Sequence, residues 1–361
     1  MSDANLERID DLVDEAWDLP HGEVQVRLLE EAVRLADVVR DLNIMFRTRM
    51  SLINSAAFSG HTEKAMPAFA WCLAQFEKEP DRYQHQEHSL LWSFKYILHA
   101  ADEFPQLTRG QVEELRDQMA DLYDRCGYNM RPVHYTRMGF ATGIGDRQLA
   151  RESYESFRSV PRDGMADCIA CEADGEIEYF DLVDEPEKVV KAAGPSLIGQ
   201  RSCQEVPHRT YAFVLRSLAQ LQRYEEADEY QRKGYRLIRD NSKFLVHVAL
   251  HMAYLLHRGR REPALRMFER HLPWALDTFY LSARFLFYVS AKRTLDCFAG
   301  SRRKKKLNLP QTFPAYNPSG SYDLAKLIGW LDGEVNALGA RFDARNENHF
   351  FTQDLVERLQ Y

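Results

Sequence analysis

The sequence predicts an all-α protein, a right-handed solenoid of antiparallel helical hairpins. Apolar residues recur at three- and four-residue steps along nearly the whole chain, whereas the alternation typical of a strand is almost absent. Short breakers separate the helical stretches, so consecutive helices must pack as antiparallel neighbours. A small or aliphatic residue also returns early in the second helix of each hairpin. The alternative to a solenoid is an irregular helical bundle without true repeats.

The composition narrows the class of protein. A chain of 361 residues that is 45% hydrophobic and 28% charged can bury a large core, unlike a disordered chain. The formal net charge of -7 argues against general nucleic-acid binding, which usually shows as a basic excess. No stretch approaches the roughly 18 apolar residues of a membrane helix, and the polar N-terminus resembles no secretory leader. We therefore expect a cytoplasmic protein without membrane association.

The recurring small or aliphatic position defines the hairpins in order along the chain. The first clear helix covers residues 23–40, and the marker positions that follow are Ala65, Ala150, Val189, Ala227 and Ala264. The last four are spaced 39, 38 and 37 residues apart. The 85 residues between the first two markers leave room for one more hairpin, around residues 86–127. A small side chain at this position allows the second helix to approach the first closely.

One hairpin carries a recognisable motif. Its residues 224–227, Tyr-Glu-Glu-Ala, followed by Tyr230 and Gly234, are similar to the turn and second helix of the tetratricopeptide repeat. The resemblance implies a tetratricopeptide-like superhelix. The period here is longer than the roughly 34 residues of the standard repeat, and Leu215 stands where the family has a small residue in the first helix.

A wider resemblance covers roughly the C-terminal half. Residues 168–239, 268–276 and 341–346 resemble a group of uncharacterised bacterial tetratricopeptide-like proteins. The resemblance implies the fold and a bacterial origin, but it implies no reaction.

The predicted domain organisation follows from where the repeats stop. We expect a helical-hairpin solenoid over residues 1–299 and an exposed basic, proline-rich loop over residues 300–320, because prolines at 310, 314 and 318 forbid a continuous helix. Residues 321–361 are predicted to form a C-terminal hairpin of the same domain, since a solenoid needs a cap on its open end.

Four residues form a candidate metal site. Cys168 and Cys171 make a C-x2-C pair, and Cys203 and His208 follow 35 and 37 residues later, close to one repeat. The first helices of adjacent hairpins pack about 8–10 Å apart, so the four side chains are expected to converge. Three thiolates and one imidazole match a closed, tetrahedral structural zinc site.

Other interpretations of this cluster stay open. Glu205 or Asp167 is an alternative fourth ligand in place of His208. The cysteines are otherwise explained as buried reduced thiols, or as a pair with a disulfide or redox role.

The concave surface of such a superhelix is lined by residues of the first helices. Arginine, amide and aromatic side chains there suit an extended peptide. The repeat phase places the following residues on that surface: Arg47, Asn54, Phe58, Tyr135, Thr142, Arg216 and Gln220.

We therefore expect a non-enzymatic intracellular binding scaffold or sensor that engages a peptide or protein, with homo-oligomerisation left open. One alternative is a metal-dependent hydrolase that uses His247, His251 and His257, although the glutamate of an H-E-x-x-H motif is missing. Another is a regulatory module that contacts nucleic acid through the five basic residues 302–306. Nucleic acid is the less expected partner.

Overall fold

The computed structural model describes residues 2–300 and 303–360. Over these residues the protein is all-α, and adjacent helices pack in pairs. The predicted all-α class is thereby confirmed, whereas the right-handed solenoid of hairpins stays a prediction. None of the helices in the described ranges is long and apolar enough to cross a bilayer.

The chain divides into two compact units. The first unit comprises Met1–Asp102, Val112–Met130 and Asp163–Met165, and the second comprises Glu103–Gln111, Arg131–Arg162 and Ala166–Tyr361. The chain passes from the first unit to the second between residues 102 and 166, whereas the sequence predicted one solenoid over residues 1–299.

In the first unit each helix packs against the next. Contacts join α1 to α2, α2 to α3, α3 to α4 and α4 to α5, and α3 also touches α5. Its helices are α1 (Ser2–Asp18), α2 (Glu23–Val39), α3 (Leu42–Ser59), α4 (Thr62–Lys78), α5 (Glu87–Asp102) and most of α6 (Arg109–Arg125).

In the second unit every odd-numbered helix also contacts the next odd-numbered helix, from α7 to α15. Its main helices are α7 (Arg131–Gly143), α8 (Arg147–Ser159), α9 (Ile169–Leu182), α10 (Pro186–Leu197), α11 (Thr210–Gln220), α12 (Tyr224–Ile238), α13 (Leu245–His257), α14 (Arg261–Asp277), α15 (Leu281–Ala299) and α16 (Leu324–Asn346).

The marker positions predicted from the sequence are all fully buried, each with 0% exposure. They are Ala65, Ala150, Val189, Ala227 and Ala264. Gly234, on α12, also lies where a larger side chain would not fit. A Cβ atom at this glycine would lie 2.4 Å from Cβ of Tyr211 and 3.0 Å from Cε1 of His251. Small residues therefore allow the close packing of α12 on α11 and α13.

The segment after α15 differs from the exposed loop expected for residues 300–320. Strands β1 (Lys304–Lys306) and β2 (Ser321–Asp323) pair antiparallel. Leu307, Leu309 and Phe313 between them are buried, because their apolar side chains join the hydrophobic core of the second unit. Ser301 and Arg302 lie outside the described residues.

The C-terminal segment is one long helix and a short second arm rather than a hairpin of two full helices. After α16 the chain forms a π-helical turn, Phe350–Leu355, and the short α17 (Val356–Arg358). This arm contacts the C-terminal ends of α7 and α9 in the second unit. The Nδ2 atom of Asn348 donates to the carbonyl of Ile144 at 2.7 Å, and the Arg358 guanidinium donates to the carbonyls of Asp181 and Leu182 at 2.7 and 2.8 Å.

Two turn glycines with the same backbone conformation make a matched test of this packing. Gly145 has φ +75° and a Cβ there would lie 2.2 Å from the Phe350 ring, whereas Gly259 has φ +68° with nothing within 4 Å. We expect Gly145→Ala to destabilise the protein by about 2–4 kcal/mol, through backbone strain and overpacking. Gly259→Ala should cost about 1 kcal/mol from strain alone. Urea unfolding followed by circular dichroism measures both, and equal losses would contradict the docking of Phe350.

Candidate metal centre

The first part of the site is the N-terminus of α9. Cys168 is the residue before the first helical turn, with φ -62° and ψ 152°, and its sulfur accepts a hydrogen bond from the amide of Cys171 at 3.4 Å. Amides at a helix N-terminus lack partners within the helix and carry a partial positive charge. Their charge would stabilise a metal-bound sulfur at this position.

The second part is the segment between α10 and α11. The Cys203 amide donates to the carbonyl of Val206 at 3.1 Å, which closes a tight turn. The Cys203 sulfur accepts a hydrogen bond from the amide of Glu205 at 3.4 Å. Backbone amides therefore donate to two of the three sulfurs.

These two parts bring Cys168, Cys171 and Cys203 together, with all three sulfurs within 4.8 Å of one another. The sulfurs of Cys171 and Cys203 are 3.5 Å apart. Zinc–sulfur bonds of roughly 2.3 Å in a tetrahedron imply sulfur–sulfur separations of about 3.8 Å, so the spacing fits a single metal ion. The cluster could thus hold a metal ion, as the C-x2-C pair and its repeat-length distance from Cys203 predicted.

Burial of Cys171, reinforced by its two cysteine neighbours, raises the pKa of its thiol. A charged sulfur is therefore disfavoured here unless a cation accompanies it. Cys168 is exposed, while the other two cysteines are half-buried.

The predicted fourth ligand does not join the cluster. No described histidine, cysteine, aspartate or glutamate adds a fourth ligand atom within 4.8 Å of all three sulfurs. The ring of His208 instead stacks on Phe244, with centroids 5.6 Å apart and an interplanar angle of 11°. Of the two alternatives, Glu205 pairs with Arg209 at 3.3 Å and with Lys243. Asp167 contributes its backbone carbonyl to Arg162.

Buried polar contacts hold the first turn of α9 against α7. The Arg131 guanidinium binds both carboxylate oxygens of Glu172 at 3.0 Å, and both side chains are about nine-tenths buried. The Tyr135 hydroxyl donates to the carbonyl of Cys171 at 2.7 Å. A bidentate pair fixes both distance and direction, so the C-x2-C pair has a rigid support.

A second set of contacts holds the start of α11 against α9. The Thr210 hydroxyl donates to Asp174 at 2.6 Å, and Arg209 donates to Glu178 at 2.7 Å. Sequence reasoning missed these supporting residues. The repeat period could have revealed them, because the two residues of such a contact lie one repeat apart. Thr210 follows Asp174 by 36 residues, and Cys171 follows Tyr135 by the same number.

Three residues predicted to bind a partner belong to the first unit. Arg47 pairs with Asp10 at 2.5 Å and is half-exposed, and Asn54 is half-buried. Phe58 lies between the rings of His21 and Tyr96, with centroid distances of 5.3 Å to each.

The other four belong to the second unit, and two of them are engaged internally. Tyr135 binds the Cys171 carbonyl as described, and Arg216 pairs with Asp181 at 3.0 Å and Asp184 at 3.1 Å. Thr142 is half-buried and Gln220 is exposed.

The histidines of α13 do not converge on a common metal site. His247 and His251 are buried, and none of their ring nitrogens has a hydrogen-bond partner among the described residues. Burial lowers the pKa of His251 to about 3 and that of His247 well below its ordinary value. Within the described ranges, no group of three metal-ligating side chains includes these two or the exposed His257.

Two described residues of the basic run 302–306 contact other side chains of the second unit. The Lys305 ammonium lies 4.2 Å from the Phe298 ring centroid and 3.7 Å from Glu262, with 14% of its side chain exposed. Arg303 is largely exposed and pairs with Asp323 at 3.4 Å.

Comparison with known proteins assigns no family. No family model matches the chain, and no curated protein sequence matches it.

Replacing His251 by leucine should reduce the amount of folding stability that the protein loses in acid. The pKa of about 3 in the folded protein lies below the ordinary value of 6.5, so between these values the unfolded chain binds a proton that the folded chain does not. Stability therefore falls as the pH drops through this window. From about pH 7 to about pH 5, His251 should contribute about 2 kcal/mol to that loss.

Urea unfolding at the two pH values measures the difference for the wild type, His251→Leu and His257→Leu. The exposed His257 on the same helix is the control. Equal acid-induced losses in all three proteins would show that His251 is not buried in its neutral form.

Proposed function

We propose that the protein is an intracellular helical binding scaffold of the tetratricopeptide kind, in which one zinc ion fixes the junction between α9 and the segment before α11. The observation that carries the proposal is the convergence of three sulfurs from two segments about one repeat apart. The resemblance of residues 224–234 and the contacts between successive odd-numbered helices support the repeat architecture.

Zinc suits this site better than a hard cation. Thiolate ligands favour zinc and other soft ions, while calcium and magnesium require oxygen ligands. Here the ion would neutralise part of the charge of Cys168, Cys171 and Cys203. Because the metal links residues that are distant in sequence, its binding free energy adds to the stability of the second unit.

The metal content of the purified protein tests this role. We expect about one equivalent of zinc, lost in Cys203→Ser because a hydroxyl is a poor substitute for a thiolate. Cys297→Ser, which alters an exposed cysteine outside the cluster, should retain the metal. Elemental analysis after dialysis measures both, and the melting temperature should fall when a chelator removes the metal.

Equal zinc content in Cys203→Ser and Cys297→Ser would contradict the assignment. Wild-type protein that takes up no zinc in a reducing buffer would contradict it as well.

We place the surface for a peptide or protein partner on the first unit, around the half-buried Asn54 and Phe58. Phe58 and Asn54 lie on α3, and the Phe58 ring lies next to a row of aromatic side chains on α5. In that row the Trp92 indole nitrogen donates to the Tyr96 hydroxyl at 2.9 Å. Aromatic and amide side chains suit an extended peptide, because they combine apolar contact with hydrogen bonds to its backbone.

A double replacement, Asn54→Ala with Phe58→Ala, should weaken capture of the partner at least about tenfold, since a central aromatic contact is worth 2 kcal/mol or more. Affinity capture from a bacterial lysate with quantitative mass spectrometry measures the loss. The control is Val38→Ala, which truncates a side chain of the same unit that is 65% exposed. A capture profile that the double replacement leaves unchanged would exclude this surface.

A further inference from the structure

We propose that the metal held by Cys168, Cys171 and Cys203 keeps its fourth coordination position for a thiolate from outside the chain. This inference rests on the proposed function, because it requires that the cluster binds metal. It replaces the closed four-ligand site expected from the sequence with a three-thiolate site that is open to solvent.

The geometry leaves one vertex of the tetrahedron without a ligand from the described residues. Three sulfurs within 4.8 Å of one another occupy three vertices around a single ion. The His208 ring stacks on Phe244. The Glu205 carboxylate is neutralised by Arg209 and Lys243. His208 and Glu205 are therefore both committed to other contacts.

The open vertex is accessible from the exposed side of the site. Cys168 is exposed, and Ile169 beside it at the start of α9 is 55% exposed. An exposed isoleucine next to a metal ligand provides apolar surface for the carbon stem of an incoming molecule. A water molecule is the default fourth ligand of zinc when only three come from the protein.

A thiol is the ligand class that this donor set favours. Three thiolates make the ion soft, and soft ions prefer sulfur over oxygen or nitrogen. In the exchange the metal–water bond breaks, the thiol gives its proton to solvent, and a metal–sulfur bond forms without any redox change. The partial positive charge of the α9 N-terminus offsets part of the added negative charge.

Cobalt(II) spectroscopy on the full chain tests the inference. The protein is loaded with cobalt in an anaerobic buffer without thiols and titrated with 2-mercaptoethanol. We expect a saturable shift of the visible d–d bands and a rise of about one third in the thiolate-to-cobalt charge-transfer band, since four thiolates replace three. Imidazole at the same concentration should produce a much smaller change.

The matched variant is His208→Ala, with helix content checked by circular dichroism. It should give the same starting spectrum and the same response to the thiol. A wild-type spectrum that 2-mercaptoethanol leaves unchanged would overturn the inference, as would a thiol response that appears only in His208→Ala. A response to imidazole but not to the thiol would overturn the ligand class.

These failures differ from failure of the proposed function. If cobalt produces no thiolate charge-transfer band at all, the cluster does not bind metal and both proposals fall. If the band corresponds to three thiolates and resists the thiol, the metal site stands and only the open position is refuted.

Discussion

Three cysteine sulfurs within 4.8 Å of one another impose an electrostatic constraint on the junction between α9 and the segment before α11. Three thiolates at this separation repel each other, and burial raises the pKa of Cys171 further. The cluster can be three neutral thiols, or it can be thiolates around a cation. Backbone amides donate to the sulfurs of Cys168 and Cys203, and these bonds would strengthen if the sulfurs were bound to a cation as thiolates. The cation is the simplest way to satisfy both the repulsion and the donors.

The surrounding contacts repeat one arrangement along the chain. Polar side chains about one repeat apart bind across neighbouring first helices: Tyr135 reaches Cys171, Thr210 reaches Asp174, and Arg216 reaches Asp181. Each bond is buried or half-buried, so breaking it would leave polar groups without partners. These contacts set the positions of α7, α9 and α11, and the sulfurs lie where two of these junctions meet. A metal ion would therefore reinforce an arrangement that the hydrogen bonds already define.

Much of the fold is predictable because it depends on local periodicity. Small residues such as Ala227 revealed the hairpins, and the cysteine spacing revealed the cluster. The division into two units and the arm that ends at Arg358 were not predictable, because they depend on contacts between residues far apart in sequence. Arg358 binds carbonyls 176 and 177 residues away. The position of His208 escaped prediction for the same reason, since its stacking partner Phe244 belongs to the next repeat.

X-ray absorption spectroscopy at the zinc edge tests the central claim most directly, because it counts the atoms bound to the metal. For zinc-loaded protein in a buffer without thiols, the account predicts three sulfur atoms at about 2.3 Å and one lighter oxygen atom at about 2.0–2.2 Å. The same three-sulfur shell should persist in His208→Ala. A first shell without sulfur would contradict the metal site itself, and one with three sulfurs and an imidazole would contradict its openness.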